Sequence, residues 1–380
     1  MDFDFWIPTK IHFGVSSLEK LEQVIGQGGY AKIGLVFDHN LDDHSLLNGI
    51  RDLIKNHAQI VESAVSVAEP TYRFLDEFRS PFMNSQIEAV VGVGGGSTLD
   101  AAKAIAVLVN NTKPAITYRG FDQMTEPTLP IYAVPTTAGT GSEITPNASF
   151  VDDISKKKLG INGEVVRPRA AFLHPGFIMT CPQGPATSAA LDALVHAVEA
   201  FAARKATPMA RMFASEAISL VLGNIENAVI QKNQSAVENI FLGSLLAGIA
   251  MMHSGTGPAA AFSYPLGVHL HIPHGFAGGF CLPHVMRWNV DHGYYGYADL
   301  LPNNRDNAAK KERAEDVVEK FFQVWRALGV PQLVQTLINE KLDLTVFLDD
   351  LSELRGAIDQ NPISMADADL ANFLTAHFPQ

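Results

Sequence analysis

Cysteine is scarce in this chain: of 380 residues only Cys181 and Cys281 carry a thiol, and they lie far apart. Such a pair builds neither a disulfide framework nor a thiolate metal cluster, which argues against thiol chemistry and points to a reducing, cytoplasmic compartment. Basic residues are also short. Against 40 acidic side chains stand 28 Lys and Arg, leaving a formal charge of −12 that repels phosphate polyanions and speaks against a nucleic-acid or anionic-membrane partner. The opening MDFDFWIPTK has acidic residues where a secretory leader needs basic ones, and no apolar core follows, so the chain is expected to begin as mature protein. The longest apolar stretch, Phe241 to Met252, stops short of the ~20 residues that cross a bilayer and reads as a buried helix. Internal repeats, low-complexity segments and long charge runs are all missing.

What is there suits a large buried core: 47% of the residues are hydrophobic and 18% charged, and the length suggests two domains. Thirteen histidines stand out against the two cysteines, and six of them (His253, His269, His271, His274, His284 and His292) fall within one stretch of the second half. Up to about residue 180, short β-branched runs alternate with helical patterns, as in a parallel sheet with crossover helices. Strands are expected over 32–37, 89–93 and 131–134, and helices over 17–25 and 99–108. Beyond Pro182 long helical patterns dominate, over 187–205, 208–230, 235–252 and 308–328. Pro182, Gly184 and Pro185 break the chain, which puts the expected boundary between an α/β domain, 1–182, and an all-α domain, 183–380.

Two loops of the first half carry chemistry. The run VGVGGGSTLD, from Val91 to Asp100, follows an apolar strand and precedes an alanine-rich helix. Its glycines let backbone approach a pyrophosphate, and Ser97 with the helix N-terminus supplies donors. The other reading is a glycine-rich turn with no ligand, and neither GxGxxG nor GxxxxGK[ST] is present. The second loop, AVPTTAGTGSE from Ala133 to Glu143, packs four hydroxyls and two glycines after a strand, as a nucleotide-wrapping loop or simply a polar one. Asp38 ends the run KIGLVFD, where a carboxylate can accept both ribose hydroxyls of adenosine and repel a 2′-phosphate, favouring NAD over NADP; a turn residue is the plain alternative.

In the second half, Asp192 and His196 stand four apart on one helix face, which is metal-ligand spacing and also the spacing of an Asp–His hydrogen bond. His274, between Pro273 and Gly275, is expected in a fixed loop from which it could reach that face as a third ligand. Two nitrogens and one oxygen suit Zn or Fe(II), and three protein ligands leave a position open for a substrate alcohol, whose ionisation a divalent cation promotes.

At this point the residues resemble the iron-containing, or group III, alcohol dehydrogenases. The matching segments run in order: PTKIHFG, Asp38, GGGSTLDAAKA from Gly94, PTTAGTGSE from Pro135, KKKLGI, LDALVHAVEAF from Leu191, AGIA from Ala247, YPLG from Tyr264, IPHG from Ile272 and LPHVMRWN from Leu282. The resemblance implies an N-terminal dinucleotide-binding α/β domain, a helical C-terminal domain, and a homodimer or larger assembly. It implies that Asp38 selects the ribose, that Gly95, Gly96 and Ser97 hold the pyrophosphate, and that Asp100 helps set the loop. Thr136, Thr137, Thr140 and Ser142 would line the cofactor, Lys158 would contact it, and Asp192, His196 and His274 would bind metal.

One departure stands out. The family's third ligand is a histidine four residues before another histidine that precedes Pro-Leu-Gly, and here those positions hold Ala260 and Tyr264. Three outcomes are open: a three-ligand site, a replacement ligand such as His253, His269 or His271, or loss of the metal. Tyr264 is either a proton-relay or hydrogen-bonding group beside the substrate, or a volume filler. The expected activity is NAD-dependent interconversion of a primary alcohol and an aldehyde, on a small-molecule substrate that is polar and multiply hydroxylated; the terminal hydroxymethyl of 3-deoxy-manno-octulosonate is one candidate. Two rivals are a dehydroquinate synthase-like lyase or cyclase using NAD transiently, and a metal-free binding protein.

Overall fold

A computed structural model describes residues 2–300, 309–338 and 342–378. The chain forms two compact units, one of residues 6–181 and one of 182–380 joined by the first five residues. The boundary of the first unit falls at Cys181, one residue before the expected one. The N-terminal segment belongs with the helical unit rather than the α/β unit, and the cause is aromatic: Phe5 stacks on Phe213 at 5.5 Å between ring centroids and lies 4.2 Å from the His253 ring.

The first unit contains β1 (Lys10–Phe13), α1 (Ser17–Gly28), β2 (Lys32–Asp38), α2 (Ser45–Lys55), β3 (Gln59–Val65), α3 (Tyr72–Phe78), α4 (Ser80–Met83), β4 (Ala89–Gly94), α5 (Gly96–Leu108), β5 (Gly120–Phe121), β6 (Ile131–Pro135), β7 (Asn147–Val151), β8 (Lys158–Asn162), β9 (Ala170–Leu173) and α6 (Pro175–Thr180). Six strands form a wholly parallel sheet in the order β1-β9-β6-β4-β2-β3, and β5, β8 and β7 form a small second sheet. The central strands β2, β4 and β6 are covered on both faces, which is why they read as unbroken apolar runs. Crossover helix α5 is buried nearly all round, in keeping with its alanine-rich composition.

Among its described residues the second unit has helices and no strand: α7 (Gln183–Ala202), α8 (Pro208–Val229), α9 (Gln234–Met252), α10 (Pro258–Leu270), α11 (His274–Asp291), α12 (Lys310–Ala327), α13 (Val330–Leu337), α14 (Leu344–Glu353), α15 (Arg355–Ile358) and α16 (Asp367–His377). The start expected for the twelfth helix, Ala308, lies outside the described residues. Local chemistry sets several starts: Thr207 caps α8 by accepting from Ala210 N–H, with Pro208 as the first helical residue, and Asn233 caps α9 by accepting from Ala236 N–H. Helix α9 runs seven residues further back than the apolar stretch that announced it. Among the described residues it is the one helix long and apolar enough to cross a membrane, yet it is mostly buried and packs against α7 and α8 as a core helix.

Candidate functional site

In the α/β unit the chain steps outward from β2 to β3, returns across the sheet to β4, and continues away through β6 and β9. Ligands of open parallel sheets bind beyond the strand C-termini at such a reversal. Asp38 closes β2, Gly94 closes β4 and Pro135 closes β6, with Phe37 beside Val93 and Gly94 beside Pro135. Asp38, the Gly95–Ser97 turn and Thr136–Thr137 are therefore in a row along one sheet edge.

None of the three glycines has a positive φ. They are required by close approach. A Cβ on Gly94 would lie 2.5 Å from Cβ of Thr98, one on Gly95 3.3 Å from Cγ2 of Thr137, and one on Gly96 2.6 Å from Cγ2 of Thr140. Gly95 and Gly96 thus let the second loop settle onto the first, while Gly94 makes room for Thr98 of its own segment. Gly95 is the N-cap of α5 and no side chain caps that helix. Its first N–H groups suit a phosphate, whose charge the helix dipole also favours. The Ser97 hydroxyl donates to the Ala68 carbonyl at 2.5 Å. Asp38 accepts from the backbone and side-chain N–H of Asn40 at 2.9 and 3.0 Å, so it is both a turn residue and a carboxylate at the strand end.

Ser142, expected to line the cofactor, is used inside the protein. Its hydroxyl donates to Asp100 Oδ1 at 2.6 Å and accepts from Lys103 Nζ at 2.8 Å. Asp100 Oδ2 accepts from Ser149 N–H at 2.9 Å. Lys103, which sequence reasoning passed over, is wholly buried and also donates to the carbonyls of Thr145 and Asn147 at 3.1 and 2.8 Å. It ties α5 to the chain that follows the hydroxyl-rich loop. Burial pushes the Lys103 ammonium down to about 8 and the neighbouring Glu143 carboxyl up to about 7. The available signal was the Asp100–Lys103 spacing on one helix face. Lys158 stands at the start of β8 and pairs with Glu69 at 2.6 Å.

In the helical unit the three expected ligands come together. Asp192 and His196 are buried on α7, with Asp192 Oδ1 3.6 Å from His196 Nε2 and 3.7 Å from His274 Nε2. The Asp192 Oδ1 to His196 Nε2 separation is longer than a hydrogen bond. His274 is not in a loop: it is the first residue of α11, with Pro273 as N-cap. Two glycines bring it there. A Cβ on Gly275 would fall 1.8 Å from the Ser188 carbonyl oxygen and one on Gly279 2.9 Å from Cβ of Leu191, so only glycine lets α11 lie this close to α7.

Among the described residues no three acidic, histidine or cysteine side chains close tightly enough to hold an ion as they stand. Asp192 Oδ1 is instead shared by two imidazoles in an open arrangement. Donors at ~2.1 Å around a tetrahedral ion lie ~3.4 Å apart, so the two gaps to Asp192 have only a few tenths of an ångström to close. The donor set, two imidazoles and one carboxylate, fits a borderline cation such as Fe(II) or Zn.

His253 packs on Phe5 at the end of α9, His269 pairs with Asp350 at 2.7 Å, and His271 is exposed in a left-handed conformation after α10. Ala260, Ser263 and Tyr264 share one face of α10. The Tyr264 ring meets His274 edge-on, 5.1 Å between centroids at 86°. Below Ala260 lies a second buried carboxylate that sequence reasoning missed: Glu199, two turns along α7 from Asp192, accepts from Gly257, Ala259 and Ala260 N–H at 2.7, 2.6 and 3.3 Å.

Comparison with known proteins gives the family. Residues 8–175 match the family model described as iron-containing alcohol dehydrogenase, and residues 186–378 match the C-terminal model of the Fe-containing alcohol dehydrogenase family. The chain is 28% identical to the lactaldehyde reductase of Escherichia coli strain K12 over 87% of its length and 88% of the relative's. It is 30% identical to the NAD-dependent methanol dehydrogenase of Bacillus methanolicus, covering 86% and 87%. The crystal structure of a 1,3-propanediol oxidoreductase superposes with a TM-score of 0.92 at 26% identity, covering both chains completely.

Proposed function

The chain belongs to the iron-containing alcohol dehydrogenase family and is an oxidoreductase acting on CH–OH groups; from that premise we propose that it is an NAD-dependent, metal-dependent dehydrogenase interconverting a primary alcohol and an aldehyde. The observation that carries this reading is the convergence of His196 and His274 on Asp192 Oδ1.

The roles of the chain's own residues follow from their placement. Asp192, His196 and His274 hold the cation, iron by family habit and zinc by donor chemistry. Bound there, a divalent cation would polarise the substrate oxygen while the nicotinamide takes up hydride. Asp38 accepts the ribose hydroxyls of NAD, and the backbone of Gly95 and Gly96 at the start of α5 receives the pyrophosphate. Thr136, Thr137 and Thr140 line the nucleotide, with Lys158 beside them. Asp100, Lys103 and Ser142 hold that loop in place. Tyr264, edge-on to His274, presents a phenol that can hydrogen-bond the substrate hydroxyl or relay its proton.

The proposed substrate is a polar, multiply hydroxylated primary alcohol, with the terminal hydroxymethyl of an eight-carbon sugar acid such as 3-deoxy-manno-octulosonate at the large end of the range. A methyl at Ala260 where the family pattern has an imidazole supports this, since it leaves room. The 30%-identical methanol dehydrogenase supports NAD as the cofactor. A homodimer remains part of the proposal, as does a reducing, cytoplasmic compartment, which rests on the scarcity of cysteine in the sequence.

The test is to load purified protein with Fe(II) or Zn and follow absorbance at 340 nm with NAD and a panel running from propanediol to sugar acids, with Asp192→Asn as control. Metal-dependent NADH formation, lost in the control, is expected. Turnover without net NADH would instead favour a lyase of the dehydroquinate synthase type, and failure to bind either metal would leave a binding protein.

A further inference from the structure

The last helix of the second unit is fastened by a run of rings. Phe373 of α16 stacks on Phe262 of α10 at 4.6 Å between centroids and an angle of 3°, and one turn further on it meets His377 at 4.7 Å. His377 lies 3.9 Å from the His284 ring of α11, which sits among Phe280 at 5.6 Å and, from α12, Phe322 at 5.2 Å and Trp325 at 5.5 Å. Helix α16 therefore joins α10, which carries Tyr264, to α11, which begins at His274. Neither His284 nor His377 belongs to the candidate site.

The surroundings of the pair suit neutral imidazoles. Among the described residues neither ring forms an ion pair, and Trp325 Nε1 is a buried donor with no acceptor. The charges on the packed elements are turned elsewhere. On α12 Glu319 and Arg326 pair with each other, on α14 Asp350 pairs with His269, and Asp349 and Glu353 of that helix are exposed. Helix α13 carries no charged side chain, Arg287 stands one turn past His284 on α11, and Asp367 and Asp369 lie at the opposite end of α16. Ring faces attract a single cation, but two imidazolium rings this close repel, and no carboxylate offsets them. We infer that the His284–His377 stack is an acid-released latch: neutral, the rings hold α16 on α10 and α11; protonated, they let α16 open ahead of the rest of the helical unit. The latch goes beyond the dehydrogenase reading and needs neither metal nor cofactor.

Burial, with the His377 ring acting in the same direction, pushes His284 down from 6.5 to about 3, and burial lowers His377 as well. A folded-state value below the unfolded one means that the opened helix holds the proton more tightly. The latch is therefore fully closed above about 6.5 and weakens as pH falls toward 3. Hydrogen exchange of the full-length protein, corrected for intrinsic rates, reads the opening of α16 against that of α8 in the same unit. Between pH 7.5 and 5, protonation of His284 alone should raise the opening constant of α16 about 30-fold, with α8 changing much less. His284→Phe, which keeps a ring and cannot ionise, should leave only the part of that rise due to His377. His377→Arg, a fixed cation beside His284, should open α16 already at pH 7.5. Equal changes in α16 and α8 of the wild type would overturn the latch without recourse to any variant, and so would a rise that His284→Phe leaves intact.

Discussion

Glu199 accepts the backbone N–H of Ala260 at 3.3 Å, and with the N–H groups of Gly257 and Ala259 it satisfies the start of α10. One face of α7 therefore carries Asp192, His196 and Glu199, so the ligand helix also fixes the helix that presents Ser263 and Tyr264. Gly257 permits the contact, since a Cβ there would lie 2.9 Å from Glu199 Oε1. Replacing Glu199 by alanine leaves three buried donors without an acceptor and should cost about 2–4 kcal/mol of stability in chemical denaturation, each orphaned group costing about 1–3 kcal/mol before relaxation.

The same residue makes stability depend on pH. Burial pushes the Glu199 carboxyl up from 4.5 to about 7, against the opposing pull of its backbone hydrogen bonds. A folded-state value above the unfolded one means that the native chain holds the proton more tightly. The contribution is fully present below about 4.5 and lost as pH rises through about 7. Glu143 shares both the shift and its cause in the other unit. Thermal melts should show stability falling between pH 5 and 7.5, and Glu199→Gln, which has no carboxyl to ionise, should flatten part of that fall; an unchanged slope would sink the assignment.

Restoring a donor at position 260 should tighten the metal. Ala260 shares a helix face with Ser263 and Tyr264, both of which meet His274. Ala260→His adds an imidazole there, and a fourth protein ligand is expected to raise Zn or Fe(II) affinity at least about tenfold. Chelator competition measures it, and the same variant should lose activity first on the bulkiest alcohols of the substrate panel.

Asp38 is expected to set cofactor choice. Its carboxylate stands at the end of β2, where it would accept ribose hydroxyls and repel a 2′-phosphate. Asp38→Ala should lower the NAD-to-NADP ratio of kcat/KM by about 10–100-fold, the worth of a charge-assisted hydrogen bond. It should also cost about 1 kcal/mol in stability through the lost cap on Asn40 N–H. An unchanged ratio would show that Asp38 is only a turn residue.

Lys103 is a larger risk to the fold. Lys103→Met removes the cation that three oxygen acceptors and Asp100 share in a buried pocket. Breaking such a pair on one side costs about 3–5 kcal/mol. The variant should melt earlier in its α/β unit and show a raised KM for NAD, with the alcohol KM little changed. Equal effects on both KM values would argue against a role confined to the nucleotide loop.

The central strands were legible because burial on both faces leaves an unbroken apolar run, as in KIGLVF and AVVGV. Strand β3, QIVESAV, was not, because its polar residues interrupt the run at the sheet edge; β1 and β9 are four residues each, too short for a periodic signal. The small sheet escaped for a similar reason. Its register pairs Val151 with Lys158 and Asn147 with Asn162, contacts set by tertiary packing and by a turn rather than by composition.

The sequence by itself determined the residue types and their order: a carboxylate and an imidazole one helical turn apart, a histidine framed by proline and glycine, glycines after a strand, and no histidine at position 260. Spacing along one helix is a local matter, and local geometry follows from 3.6 residues per turn. What only the tertiary structure decided is which distant groups meet. Gly275 and Gly279 turned out to dock α11 onto α7 and carry His274 to Asp192, Ser142 turned inward to Lys103, and Glu199 proved to hold the start of α10. Each depends on how closely two backbones approach, and that distance is set by side chains far apart in the chain.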